Sequence, residues 1–148
     1  MKAVIQRVAN ASVTVNDITI ASIGQGYLVL LGVEAQDTEE DMKKLAKKMI
    51  DLRIFRDERG KTNLSIEDVG GEILVVSQFT LLADCRKGRR PSFIKAGDPD
   101  EARRMFLAFA DECRKRVPGV QQGEFGAEMQ VALINDGPFT ILLDSNEL

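Results

Sequence analysis

The sequence predicts an α+β fold: an antiparallel, barrel-like sheet carrying two packed helices, in one domain spanning residues 1–148. Three observations lead there. About seven segments show the alternating or continuous apolar pattern of strands. Only two segments carry helical periodicity. The two helical segments interrupt groups of strands instead of alternating with them, which argues against a doubly wound parallel sheet.

The first segment, Met1–Val8, places Ala3, Ile5 and Arg7 on one face and Val4, Gln6 and Val8 on the other. Taken alone, Arg7 reads as a strand-edge charge in solvent. Ala11–Val15 and Asp17–Ala21 form a hairpin around Asn16-Asp17, residues that tolerate turn geometry. Gly24-Gln25-Gly26 is a turn and not a dinucleotide fingerprint, because a third glycine is missing and the strand Tyr27–Leu31 follows in place of a helix. Thr38 caps the first helix, and Glu39, Glu40 and Asp41 suit the positive end of its dipole. Met42, Leu45, Ala46, Met49 and Ile50 recur at helical spacing as core, while Lys43, Lys44, Lys47 and Lys48 form a solvated face.

Asp57–Lys61 and Gly70-Gly71 are turns. Ile73–Val76 is a dense apolar run, as in a buried strand, and it ends in the polar group Ser77, Gln78 and Thr80. The loop that follows holds Arg86, Lys87, Arg89 and Arg90, the one concentrated positive patch of the chain. Asp98 and Pro99 open the second helix. Ala102, Met105, Phe106, Phe109, Ala110 and Cys113 make its buried stripe, with Cys113 as a small hydrophobe. Pro118-Gly119 ends it. Glu128–Asn135 and Phe139–Leu143 read as two strands joined by Asn135-Asp136-Gly137-Pro138.

Composition excludes several chemistries. The chain has no histidine, so Ser-His-Asp and Cys-His catalysis and histidine-ligated metals are ruled out. Cys85 and Cys113 fit neither a zinc motif nor a disulfide scaffold. A net charge of −3 argues against a general nucleic-acid coat but allows a local patch. No apolar run reaches membrane-spanning length and no signal-peptide core is present, so a soluble, cytoplasmic protein is expected.

Two polar stretches, Ser77-Gln78-Phe79-Thr80-Leu81 and Asn135-Asp136-Gly137-Pro138-Phe139-Thr140, together resemble the D-aminoacyl-tRNA deacylases, also called D-tyrosyl-tRNA deacylases. Met1–Val8, Asn63-Leu64, Pro91-Ser92-Phe93 and Phe125-Gly126-Ala127 extend the likeness over essentially the whole chain. The resemblance implies a homodimer that hydrolyses the ester between a D-amino acid, or mischarged glycine, and the terminal adenosine of tRNA. It implies no metal or organic cofactor. It also implies that a cis Gly137-Pro138 pair enters the active site of the other subunit and aims two carbonyls at the substrate ammonium. Gly137 would let backbone press against the chiral carbon, so an L side chain would clash and glycine would pass. Arg7, by resemblance, orients this pair.

Thr80 invites a nucleophile reading, but a threonine hydroxyl needs an activating base and no histidine supplies one. The resemblance points instead to assistance from the ribose hydroxyl beside the ester. The protein then positions the ester and stabilises charge. Backbone N–H groups of Gln78 and Phe79 are the candidates for holding the acyl oxygen. Ser77 and Thr80 support them through hydrogen bonds; alternatively, Thr80 is a strand residue satisfied by its neighbours. Phe125 and Met129 are candidates for packing the adenine, with a core role as the alternative. Arg86, Lys87, Arg89 and Arg90 would meet acceptor-stem phosphates. Two rival classes remain: a non-catalytic RNA-binding barrel and an esterase for small acyl esters.

Overall fold

The computed structural model describes residues 1–148. Strands β1 (Lys2–Val15), β2 (Ile18–Ile23) and β3 (Gly26–Gly32) come first, followed by helix α1 (Glu39–Asp51). Then follow the short pair β4 (Phe55–Arg56) and β5 (Thr62–Leu64), strand β6 (Glu72–Ser77) and a 3-10 turn over Phe79–Leu82. Helix α2 (Pro99–Arg114), β7 (Val120–Gln122) and the long β8 (Gln130–Asp144) complete the chain.

The main sheet runs β2-β1-β3-β6-β7, and β8 lies along the opposite edge of β1. Its pairing is mixed, which corrects the antiparallel expectation. β1 pairs antiparallel with β2, β3 and β8, but β3–β6 and β6–β7 are parallel. The two helices explain this. A parallel pair needs a long crossover connection; α1 lies in the one from β3 to β6 and α2 in the one from β6 to β7. The barrel is nearly closed by a side chain. Ser22 N–H donates to Gln121 Oε1 (2.8 Å) and Gln121 Nε2 donates to the Ser22 carbonyl (2.7 Å), joining β2 to β7.

Both faces of the central strands are buried, which accounts for their continuous apolar sequence. Tyr27, Val29, Leu31, Ile73 and Val75 join a large core with Leu45, Met49 and Ile50 of α1 and Phe106, Phe109 and Cys113 of α2. Leu28, Leu74 and Val76 face the other way, into a smaller cluster with Val8, Ala11, Val13, Ala21 and Ile23. Burial pushes the Cys113 thiol up to about 12, as suits a packed hydrophobe.

Both helix starts form as their sequences suggest. Thr38 and Asp41 make a reciprocal capping box. The Asp98 carboxylate accepts from the Asp100 and Glu101 amides, with Pro99 at the first helical position. Ion pairs link α1 to α2 and to the segment that follows it. Arg104 Nη1 reaches Glu39 at 2.9 Å, and Arg116 Nη1 reaches Asp51 at 2.7 Å while its Nη2 pairs with Glu67.

Asp51 accepts from Lys47 and from Arg116, and these bonds hold its carboxyl below the ordinary carboxylate value. A folded-state value below the unfolded one stabilises the fold above the unfolded value, and that increment disappears as pH falls through the folded one. The urea midpoint of the wild type should therefore fall between roughly pH 5 and pH 3 by more than that of Asp51→Asn. Equal falls would show that the network carries no linkage.

Candidate active site

A cavity of about 570 Å³ opens where β3 and β6 end. Leu31 and Val33 contribute one side, and Val76, Ser77, Gln78 and Phe79 continue from β6 into the 3-10 turn. Ala96, Gly97, Pro99 and Ala102 bring in the start of α2, while Phe125–Ala127 and Met129 close the far wall. Ser77 sits opposite Leu31 in the parallel register, so strand pairing sets its place.

The cavity is chemically sparse. Ser77 and Gln78 are the only lining residues with polar side chains, and none of the lining residues is ionisable. Ser77 makes no side-chain hydrogen bond, although Gln78 Nε2 donates to Thr80 Oγ1 at 2.5 Å. Thr80 is exposed and outside the wall, which counts against the nucleophile reading. One expectation about the backbone needs correction. The Gln78 amide is committed to the Leu31 carbonyl (2.8 Å) and so is not free for an acyl oxygen. The Phe79 amide opens the 3-10 turn, where the first N–H groups lack partners within the turn.

Phe79 is 54% exposed, and its ring meets Phe93 edge-on with centroids 4.9 Å apart. Phe125 tilts against Phe106 of the core at 5.9 Å while also lining the cavity. Met129 packs on the smaller cluster and lines the cavity too, so both residues belong at once to the core and to the cavity wall. Phe93, Ala96, Gly97, Pro99 and Ala102 also line the cavity, and the sequence assigns them no role at a site. Gly97 and Pro99 read in sequence as a helix start, Ala102 as helix core and Phe93 as part of the family likeness, and none of these signals announces a cavity wall.

Arg7, Gly137 and Pro138 form a second constellation outside this cavity. The ladder pairs Gln6 with Thr140 and Val8 with Asn135, so only Arg7 faces the four residues Asp136–Phe139, which leave the sheet as an excursion. What reads in sequence as two strands and a turn is therefore one strand, β8, with an outward fold. Arg7 is 2% exposed, which corrects the solvent-edge reading. Its Nε donates to the Asp136 carbonyl (2.8 Å) and lies 3.2 Å from the Asp136 carboxylate. Its Nη1 donates to the Ile54 carbonyl (2.5 Å), and the guanidinium stands 4.5 Å from the Phe139 ring centroid. Gly137 and Pro138 are exposed at the tip, joined by a cis peptide.

The basic loop is closed by paired backbone bonds between Asp84 and Ser92. Arg86 folds back on Asp84, and this hydrogen bonding holds the Asp84 carboxyl well below the usual carboxylate range. Lys87, Arg89 and Arg90 are exposed without an acidic partner. No cluster of three or more His, Cys, Asp or Glu residues stands together as a metal site.

The family model for D-Tyr-tRNA(Tyr) deacylase matches residues 4–144. The chain belongs to that family. It is accordingly an enzyme of the hydrolase class. It is 55% identical over 148 residues to the D-aminoacyl-tRNA deacylase of Thermosipho africanus (strain TCF52B), covering 100% of this chain and 99% of that one. With the D-aminoacyl-tRNA deacylase of Clostridium novyi (strain NT) it shares 50% over 147 residues, 99% of each chain. A solved structure described as c-Myc DNA Unwinding Element Binding Protein superposes with a TM-score of 0.92 at 44% identity, covering 97% of this chain and 98% of that one. A probable eukaryotic D-amino acid tRNA deacylase has the same fold, with a TM-score of 0.86 at 18% identity over 96% and 97% of the two chains.

Thr80 lies outside the cavity, so Thr80→Ala should keep kcat/KM within about tenfold of wild type, the effect of one lost hydrogen bond. Complete loss of turnover with fold and tRNA binding intact would restore the nucleophile reading.

Proposed function

We propose that the chain, as a single domain, hydrolyses the ester of D-aminoacyl-tRNA, and of tRNA mischarged with glycine, to free amino acid and tRNA. The observation that carries the mechanism is the lack of any ionisable side chain in the cavity wall. No protein base is at hand to activate water or a hydroxyl, so that work falls to the substrate. Water adds to the acyl carbon, and the former carbonyl oxygen takes the negative charge beside the Phe79 amide. The ester oxygen then leaves as a ribose hydroxyl, with the neighbouring hydroxyl relaying the proton from water. Ser77 and Gln78 align the ester. Phe125 and Met129 pack the terminal adenine, which asks for apolar surface and not charge. Lys87, Arg89 and Arg90, with Arg86, meet acceptor-stem phosphates.

The chiral filter requires a second copy. Gly137 and Pro138 are exposed and do not line their own cavity, and the outward edge of β8 has no partner strand. Ile134 and Leu142 on that strand are 58% and 67% exposed, a surface suited to burial in a homodimer. In the proposed dimer the Gly137-Pro138 tip enters the partner's cavity, with the side-chain-free Gly137 backbone as its wall. A non-catalytic RNA-binding module would need the basic loop but not this apolar cavity. No helix is long and apolar enough to cross a membrane, and the proposed setting is cytoplasmic.

The deciding assay uses one tRNA charged with D-tyrosine, L-tyrosine or glycine, before and after chelator treatment. D-tyrosine and glycine should be released and L-tyrosine spared, with no effect of chelator. Equal turnover of the two tyrosyl esters would remove the filter, and a chelator loss restored by metal would remove the metal-free chemistry. A 2′-deoxy terminal adenosine should slow hydrolysis about a hundredfold or more, the usual contribution of a positioned proton-transfer group. Undiminished turnover would return the search to a protein base.

A further inference from the structure

The excursion Asp136–Phe139 breaks the β1–β8 ladder, and backbone groups at its neck lose their regular partners. One side chain replaces them. Asn135 Nδ2 donates to the Arg7 carbonyl (3.1 Å) and to the Phe139 carbonyl (2.9 Å), and the Phe139 amide donates to Asn135 Oδ1 (3.0 Å). Toward Phe139 the side-chain amide acts as a peptide group of a neighbouring strand would, with one donor and one acceptor. It also reaches across to β1 through the Arg7 carbonyl. Every polar atom of this amide is engaged at the neck, and the residue is half-buried there.

The arrangement leaves no room for a side chain at Gly137. A Cβ at that position would stand 1.9 Å from the Phe139 nitrogen and 3.0 Å from Asn135 Oδ1. The bare tip and the amide at the neck are thus built against each other. Arg7 holds the same excursion from beneath, through the Asp136 carbonyl and the Phe139 ring. The buried guanidinium supplies only donors, so it can satisfy carbonyls but cannot accept the Phe139 N–H. That acceptor is Asn135's own contribution.

We infer that Asn135 is a positioning residue for chiral selection: its amide sets how far and at what angle the Gly137-Pro138 tip projects. It touches no substrate and acts through the tip. The inference rests on the reading above that this tip is the wall excluding L side chains. Asparagine is needed because the site asks for an acceptor and a donor on one flat group. Aspartate has the same shape and keeps the acceptor, but at neutral pH it would turn an oxygen lone pair toward the Arg7 and Phe139 carbonyls.

The test compares wild type, Asn135→Asp and Asn135→Ala as purified full-length protein, on one tRNA charged with D-tyrosine or with L-tyrosine. The readout is the ratio of kcat/KM for the two esters, alongside thermal unfolding and oligomeric state. A general loss of structure slows both esters and leaves the ratio in place. A displaced wall lowers the ratio, because the L ester is no longer excluded. In both variants the ratio should fall by about threefold to tenfold, the range that the loss of one neutral hydrogen bond is worth. A folded variant of either kind with the wild-type ratio would overturn the inference. Should one variant fail to fold, the other decides by the same criterion; should both fail, Asn135→Ser, which keeps one hydroxyl donor and acceptor, is read in the same way. A wild type that does not separate the esters would remove the filter itself, and the role of Asn135 with it, whereas a discriminating wild type with unchanged variants removes only the role of Asn135.

Discussion

The parallel pairing of β3 with β6, buried on both faces, is the constraint from which the rest of the structure follows. Parallel neighbours need a crossover, and α1 is part of it. Covering one face with α1 and α2 leaves the other to close on itself, with Val8, Ala11, Val13 and Ile23 packing against Leu28, Leu74 and Val76. Two strands running the same way also end at the same place. Ser77 is thereby set against Leu31, and the chain beyond each strand must turn away there. The cavity is the space between those diverging ends, roofed by the start of α2.

Charge is distributed with the same economy. The cavity wall holds none, whereas Arg7 is buried directly against the strand excursion it supports. A buried guanidinium is costly unless its donors are met. Two carbonyls, a carboxylate and an aromatic face meet them here. The cation is thus tied to the excursion and lies outside the cavity of its own chain. An apolar cavity strengthens the few polar interactions made inside it, because competing water is scarce. A single backbone amide and two side chains can then do work that would be slight at a wet surface.

Much of this is legible in the sequence, and the gaps have physical causes. Helical periodicity and caps located α1 and α2 because both signals are local. The run Ile73–Val76 showed two-sided burial but could not show direction, since a buried strand reads the same beside a parallel or an antiparallel neighbour. Arg7 looked like an edge charge because the carbonyls that receive it come from Ile54 and Asp136, remote in sequence. Ser77, Gln78, Phe79, Phe125 and Met129 do share one cavity, and Thr80 misses it because the chain curls into a 3-10 turn after Gln78. Ala96 and Gly97 carry no signal of the cavity, and Ala102 reads only as helix core: a small residue that leaves space has no chemical signature of its own.

The separation of the two constellations bears on how such a protein could select by chirality without recognising each side chain. On the proposed reading, the cavity of one copy grips the adenosine and ester, while the tip of β8 from another copy tests the chiral centre. The grip is apolar and adaptable. The test is made by backbone, which cannot rotate aside as a side chain can. Rigidity therefore matters most at the excursion, and that is where the dense bonding is found: Arg7 beneath, Asn135 across the neck, and a glycine whose replacement would collide with both its neighbour and its clamp. A filter that works by exclusion needs a wall that does not yield, and on the proposed reading the buried Arg7 and the Asn135 amide supply that stiffness, while the cavity proposed to hold the ester carries only Ser77 and Gln78 as polar side chains.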